Sequence, residues 1–287
     1  MSCVRKTLSL SKINLSYLEW DSNIKSSSNT NILLLHGLAD QALVWKQLGE
    51  KLSDRYHIIA PDMRGHGESS KPDHGYTFTE VIEDLEALME HLNWSKANIL
   101  GHSWTGKLAA IWAKQNPKRF NSLILVDPIF IMKLPGLFKL TLPILYRQLD
   151  CLKLIGPFAS FEQAEDQAKQ LAQFSGWSDL QQELFISGME QKPDGSWGSK
   201  FEIPARNEIF EQVMEVPGLT ENIDIPTLLI QPEKGVNRME WQLKPYKQYL
   251  TQLEIQRVAG NHWSFLVEAE SFNQTVERFL NSQVMVN

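Results

Sequence analysis

Apolar positions along the chain follow two rhythms that take turns. Apolar runs, NILLLHG (31–37), YHIIAPD (56–62), ANILGHS (97–103), NSLILVDP (121–128) and IPTLLIQP (225–232), have the length and β-branched content of strands, and LEIQRVAG (253–260) reads as a further strand. Between them lie stretches whose apolar residues recur at helical spacing: VWKQLGEKL (44–52), TFTEVIEDLEALMEHLN (77–93), KLAAIWAKQ (107–115), MEWQLKPYKQYL (239–250) and EAESFNQTVERFL (268–280). Thr77 stands where a helix cap is wanted. Such alternation predicts an α/β fold with a mostly parallel sheet and helices on both faces. The first twenty residues alternate polar and apolar and predict a strand hairpin, followed by a polar loop over IKSSSNTN (24–31).

The alternation stops between Pro128 and Leu219. That interval far exceeds the ~15 residues beyond which a connection without its own secondary structure is uncommon, so it predicts an inserted subdomain. Its start, IFIMKLPGLFKLTLPILY (129–146), is strongly apolar, and FEQAEDQAKQLAQF (161–174) reads as helix. Leaving the sheet at one strand's carboxyl end and returning before the next, it should cover the strand ends where open α/β sheets bind ligands. The expected organisation is a core of residues 1–127 and 220–287 with a mainly helical cap over 128–219. Aromatic residues Phe138, Tyr146, Phe158 and Trp177 are candidates for a hydrophobic pocket in the cap, or for the cap's own core.

Charge and composition narrow the function. A net charge of −6 with interspersed Lys and Arg leaves no footprint for nucleic acid. Cys3 and Cys151 are isolated, with no metal-ligand spacing, and no cofactor or metal is expected. The amino terminus lacks the charged start and apolar run of a signal peptide, which makes a cytoplasmic location the default expectation. The apolar stretch Pro128–Tyr146 is interrupted by Lys133, Pro135, Lys139 and Pro143, so no integral membrane segment is expected, though it could lie against lipid or an oily substrate.

Ser103 lies in GHSWTG, between an apolar run and a helical one. A sharp strand-to-helix turn with small flanking residues lifts a serine hydroxyl clear of the sheet and aims the next backbone N–H at a developing oxyanion. Gly101 meets the requirement for a small flank, whereas Thr105 stands where a second glycine is usual and Gly106 is out of register. His262 follows a strand and precedes a helix, and can hang over that turn as the base. His66 reads as structural, and His57, His74 and His91 have no motif around them.

Four stretches in order, LLLHGLAD, IIAPDMRGHGESSKP, GHSWTG and GNHWSFLVEAESFNQTVERFL, make the chain resemble the α/β-hydrolase fold family over nearly its whole length. The resemblance implies a capped serine hydrolase, esterase-like, with Ser103 as nucleophile, His262 as base and then acid, and the N–H groups of Leu38 and Trp104 as oxyanion donors. In DMRGHGESSKP, Gly65 and Gly67 permit unusual backbone angles that order a family loop. Members of the family mostly carry the triad carboxylate in a G-x-x-D turn after the strand that follows the cap. Here that turn reads QPEKGV (231–236), with Pro232 in the glycine position and Gly235 in the aspartate position. Three alternatives stand: Asp127 supplies the carboxylate from the preceding strand, as in a minority of the family; Glu233 reaches from a displaced turn; or no acid remains.

The expected function is hydrolysis of an ester or related acyl bond of a hydrophobic small molecule, without cofactor. Ser103 argues against relatives that use an aspartate nucleophile on carbon-halogen bonds or epoxides. The alternatives are hydrolysis of a carbon-carbon bond, as in a diketone, and a non-catalytic binding protein that keeps the fold and pocket.

Overall fold

The computed structural model describes residues 3–21 and 30–284, without the side chains of Phe138, Lys139, Pro143, Leu145 and Val284. The expected loop over 24–31 lies almost wholly outside the described residues, as does the side chain of Phe138, one of the pocket candidates.

Strand β1 (Val4–Ser9) pairs antiparallel with β2 (Asn14–Trp20) as the predicted hairpin. After them come β3 (Asn31–Leu35), a 3-10 turn over Ala42–Trp45, α1 (Lys46–Leu52), β4 (His57–Pro61), α2 (Phe78–His91), β5 (Ala97–His102), α3 (Trp104–Gln115) and β6 (Phe120–Val126). The segment beyond β6 contains α4 (Leu142–Gln148), α5 (Phe161–Ala168), α6 (Asp179–Gly188), a small hairpin of β7 (Met189–Gln191) and β8 (Trp197–Ser199), and α7 (Ile203–Glu215). The core resumes with β9 (Thr227–Lys234), α8 (Glu240–Tyr249), β10 (Leu253–Asn261), α9 (Ser264–Val267) and α10 (Ala269–Val284). The main sheet is eight-stranded in the order β1-β2-β4-β3-β5-β6-β9-β10, antiparallel at the β1-β2-β4 edge and parallel elsewhere.

The unbroken apolar runs have a direct physical reason. A strand presents successive side chains to opposite faces, and helices cover both faces of the middle of this sheet, so nearly every position of β3, β4, β5, β6 and the first six residues of β9 is buried, whereas the edge strand β10 is largely half-buried. Leu33 and Leu35 enter one apolar cluster while Ile32 and Leu34 enter the other. The same split separates Ile59 from Ile58 and Ala60, Leu123 and Leu125 from Ile124 and Val126, and Leu229 from Leu228 and Ile230. Helix α2 starts where the sequence places its cap: the Thr77 hydroxyl accepts from Glu80 N at 3.3 Å and Glu80 Oε2 accepts from Thr77 N at 3.4 Å, a reciprocal arrangement worth about 1 kcal/mol.

The inserted segment is mainly helical, but the β7–β8 hairpin was not anticipated. Its turn, KPDGS (192–196), carries hairpin chemistry that the sequence displays: Gly195 has φ 84°, and Asp194 Oδ1 accepts from Ser196 N at 3.0 Å. Tyr146 packs on Phe210 with ring centroids 5.1 Å apart, while Leu137, Leu140 and Ile144 face solvent. Among the described residues, no helix is long and apolar enough to cross a membrane.

Both ends of this segment are tied to α3 by one side chain. Lys107 is fully buried, and its Nζ donates to Phe130 O at 2.7 Å and to Val213 O at 2.5 Å, with Met132 O at 3.5 Å. One lysine thus links the exit from β6 and the last turns of α7 to the helix that follows Ser103. Lys107→Ala should lower unfolding stability by about 2–4 kcal/mol, since it strands buried carbonyls and leaves a void; urea titration against the exposed-surface control Lys118→Ala checks this.

Candidate active site

Ser103 adopts φ 60° and ψ −119° between β5 and α3. A side-chain-bearing residue in this region costs on the order of 1–3 kcal/mol and persists only where its surroundings enforce it. They do so through Ser103 N, which donates to Val126 O at 2.9 Å, and Ser103 O, which accepts from Gly106 N at 3.1 Å and Ile129 N at 3.3 Å. A Cβ on Gly101 would lie 2.5 Å from Thr105 O, so the flank before the serine must be glycine. Thr105 fills the second flank with purpose. Its buried hydroxyl lies 3.0 Å from Leu35 O, 3.1 Å from His36 O and 2.8 Å from His102 O, so one donor pins the elbow to the end of β3. The departure from a second glycine is therefore a stabilised variant of the turn.

Leu38 and Trp104 line the same cavity as Ser103. Trp104 opens α3, so its N–H has no acceptor within the helix. His36 shapes the turn that carries Leu38: its Nε2 accepts from Met63 N at 3.0 Å, which leaves the Nδ1 proton to bond Gly37 O at 2.7 Å. The absent side chain of Gly37 makes room for His102, whose Nδ1 would lie 2.5 Å from a Cβ there.

Sheet register explains where the carboxylate comes from. His102 is level with Val126, and Val126 with Ile230, so the residue after each strand faces the same corner. Asp127 there is fully buried, with φ 40°. His262 Nδ1 bonds Asp127 Oδ2 at 2.7 Å. The carboxylate also accepts from Val236 N at 2.8 Å, Asn237 N at 3.1 Å and Asn237 Nδ2 at 3.1 Å. Burial alone would raise the Asp127 carboxyl; the bonds from His262, Val236 and Asn237 outweigh it and hold the group below its ordinary value. Glu233 is exposed at the end of β9, and it is Asp127 that meets the imidazole.

Gly235 completes this picture. A Cβ at that position would stand 2.5 Å from Asp127 Oδ2, so the space that an aspartate would use there is already filled by a carboxylate from the neighbouring strand. The histidine loop is fixed from below as well, since His102 Nε2 bonds the His262 carbonyl at 2.9 Å.

The cavity beside these groups measures about 230 Å³ and opens between the strand ends and the inserted segment. Ser103 and His262 share it with the apolar side chains of Ile129, Leu149, Ile209, Phe210, Val213 and Val236. Tyr146, Phe158 and Trp177 are not in its wall. Trp177 packs within the inserted segment against Phe174 and Phe185, both at 5.8 Å, and three of the apolar lining residues, Ile209, Phe210 and Val213, come from α7. His66 is buried against Phe201 at 4.4 Å, and His57 bonds Glu19 at 2.8 Å, both away from the cavity. His74 and His91 are exposed. Gly65 and Gly67, with φ 79° and 49°, shape the loop after β4. Among the described residues, no group of His, Cys, Asp and Glu could hold a metal ion.

Sequence reasoning missed Asn237, Asp40 and Cys151. Asn237 is an ordinary turn residue in sequence, and only the position of Asp127 gives its amide a task. Asp40 had a readable signal, an acid in the turn LLLHGLAD itself.

Gly235→Ala should cost about 1–3 kcal/mol in urea unfolding because the added methyl displaces a buried carboxylate, whereas Lys234→Ala should cost nothing measurable. Because Asp127 titrates below its ordinary value, the unfolded chain takes up the proton first on acidification, and the stabilisation present at neutral pH is lost as pH falls through the folded value. Below about pH 4, wild-type stability should therefore fall more steeply than that of Asp127→Asn, as read from urea midpoints.

A family model described as alpha/beta hydrolase fold matches residues 30–269. A soluble epoxide hydrolase of Corynebacterium sp. (strain C12) is 32% identical over 116 residues, 40% of this chain and 39% of that protein. The 2-(acetamidomethylene)succinate hydrolase of Mesorhizobium japonicum is 32% identical over 103 residues, 36% of this chain and 37% of that protein. The chain thus spans less than half the length of these curated relatives. Among solved structures, E-2-(acetamidomethylene)succinate hydrolase superimposes with a TM-score of 0.76 at 19% identity, over 97% of this chain and 99% of that one. A marine microorganism esterase does so with a TM-score of 0.73 at 21% identity, over 92% and 98%. The similarity to these structures concerns the fold, and with the family match over residues 30–269 it establishes that the chain belongs to the α/β-hydrolase fold family.

Proposed function

We propose that the chain is a serine hydrolase that cleaves an ester or related acyl bond of a hydrophobic small molecule through an acyl-enzyme. The observation that carries this reading is the 2.7 Å bond between His262 Nδ1 and the buried Asp127 carboxylate, in a loop that shares one cavity with Ser103. An imidazole that donates its Nδ1 proton to a carboxylate keeps Nε2 free as a base, and the imidazolium that forms is stabilised by the same carboxylate.

In this mechanism Ser103 Oγ attacks the substrate carbonyl as His262 Nε2 takes the hydroxyl proton. The oxyanion is met by the N–H groups of Leu38 and Trp104. Collapse expels the alcohol, which receives its proton from His262. A water molecule, deprotonated by the same imidazole, then attacks the acyl-enzyme and releases acid and free Ser103. The segment 128–219 serves as the cap that supplies the apolar wall through Leu149, Ile209, Phe210 and Val213.

Other readings fit less well. Opening an epoxide through an alkyl-enzyme needs a carboxylate at the elbow, where this chain has Ser103. A succinate-type dianion would find no Lys or Arg in the cavity wall. Thr105 and Gly235, the two departures from the family's pattern, each have a structural reason compatible with a working site. A carbon-carbon bond hydrolase would use the same serine and histidine and is separated by substrate.

On p-nitrophenyl esters, Ser103→Ala should abolish turnover, Asp127→Asn should lower kcat on the order of 10⁴-fold, and Glu233→Gln should match wild type. A wild type that neither turns over esters nor is labelled at Ser103 by a fluorophosphonate rules out the acyl-enzyme. From acetate to butyrate esters kcat/KM should rise at least several-fold, since each buried methylene contributes about 0.8 kcal/mol; equal rates would count against a hydrophobic acyl or alcohol site.

A further inference from the structure

One polar group in the cavity has no part in the mechanism above. Asp40 ends the turn that begins at His36, and its side chain, 9% exposed, lines the cavity together with Ser103 and His262. Among the described bonds, its one side-chain donor is Trp263 Nε1, 3.2 Å from Oδ2. His102 Nδ1 lies 3.7 Å from the same oxygen, beyond hydrogen-bond reach. That nitrogen cannot donate in any case: the His102 proton is on Nε2, committed to the His262 carbonyl, and burial first of all keeps the ring neutral. Nδ1 is thus a buried lone pair without a protein partner, facing a carboxylate across a gap that neither group can bridge with a hydrogen.

The rest of the wall supplies no counter-charge. No Lys or Arg lines the cavity. The other acid in the wall, Asp150, is already satisfied by Lys153 Nζ at 2.6 Å and by Ala172 N at 3.3 Å. Asp40 therefore resembles half of an ion pair: a nearly buried carboxylate whose only donors among the described residues, the Trp263 indole and the Gly37 backbone, are neutral, on an otherwise apolar surface. Burial raises its carboxyl to about 6, against smaller opposing effects from His36, Trp263 and His262, so it is largely ionised at neutral pH. The indole of Trp263, 5.0 Å from the His262 ring, adds an aromatic face near that carboxylate.

We infer that the other half of the pair comes with the substrate: the cavity takes a hydrophobic molecule bearing an aliphatic ammonium group, which Asp40 binds beside the Trp263 indole. This deepens the acyl-hydrolase reading and depends on it for the reaction but not for the binding. Asp40 is here a specificity residue, and substrates with a carboxylate on the same chain are excluded by it.

The test separates binding from chemistry. Ser103→Ala protein is titrated with hexylammonium, hexanol and hexanoate at pH 7.5, followed by calorimetry. Hexylammonium should bind at least tenfold more tightly than hexanol, the scale of one well-placed charge pair, and hexanoate most weakly. Adding Asp40→Asn or Asp40→Ser should bring the first two within about twofold of each other. Trp263→Phe, which removes the indole donor but keeps the carboxylate, should retain the ranking. Hexanol binding as tightly as hexylammonium overturns the inference, as does a preference that survives both Asp40 variants. With active enzyme, an amino-acyl p-nitrophenyl ester should show a lower KM than its uncharged isostere, and Asp40→Asn should remove that gap. If no ester is turned over while the ammonium preference stands, the acyl-hydrolase reading fails and the recognition site does not.

Discussion

A single buried carboxylate, that of Asp127, organises the carboxyl end of this sheet. It accepts from His262, from the Val236 and Asn237 backbone and from the Asn237 amide, so two separate stretches of chain converge on its two oxygen atoms. An ionised carboxylate in a fully buried position is stable only if such donors replace water. The sequence around it is shaped by that need. Gly235 leaves the volume that the carboxylate occupies, and Asn237 turns back to bond both Asp127 and Pro128 O at 2.7 Å. Removing the negative charge would weaken all of these bonds at once, which links imidazole orientation to the integrity of the β9–α8 turn.

The elbow and the inserted segment are coupled in a comparable way. Ser103 occupies a strained conformation at the start of α3, and Lys107, one turn further along the same helix, bonds carbonyls at the start of the segment and near the end of α7. The helix that positions Ser103 is also the anchor for the wall opposite it. Ile209, Phe210 and Val213 of that wall belong to the same turns of α7 whose carbonyl Lys107 holds. Strain at Ser103 is sustained by this tethering and by the Thr105 hydroxyl, whose anchor is the neighbouring strand β3.

Much of the architecture was legible because the physics is local. A strand buried on both faces must be apolar throughout, and a capped amphipathic helix announces its start, so the sheet and its helices could be read from spacing. The β7–β8 hairpin escaped because its strands are too short to show alternation, although KPDGS marks its turn. Candidate chemistry was legible where a motif is local, as at Ser103 and His262. The choice between Asp127 and Glu233 was not, because it depends on register across β5, β6 and β9, a long-range property that one strand does not encode. Pocket residues were the least legible. Phe158 and Trp177 look like lining by composition, yet Trp177 packs against Phe185 within the inserted segment, and α7 contributes Ile209, Phe210 and Val213 to the wall instead.

Asp40 lies on the same short turn as Leu38, one of the two N–H groups of the proposed oxyanion site, which ties recognition to rate. A carboxylate in a low-dielectric cavity opposes the build-up of negative charge on a nearby carbonyl oxygen, and the opposition grows as water is excluded. Left uncompensated, ionised Asp40 would raise the barrier to acyl transfer for every neutral substrate. An ammonium seated against it cancels that field and restores the preference of the Leu38 and Trp104 amides for an oxyanion. The cation would therefore act in the transition state as well as the ground state, and only interactions that strengthen in the transition state accelerate the chemical step. On this view the carboxylate makes the oxyanion site responsive to the charge of the molecule that enters, and discrimination appears in kcat as well as in KM.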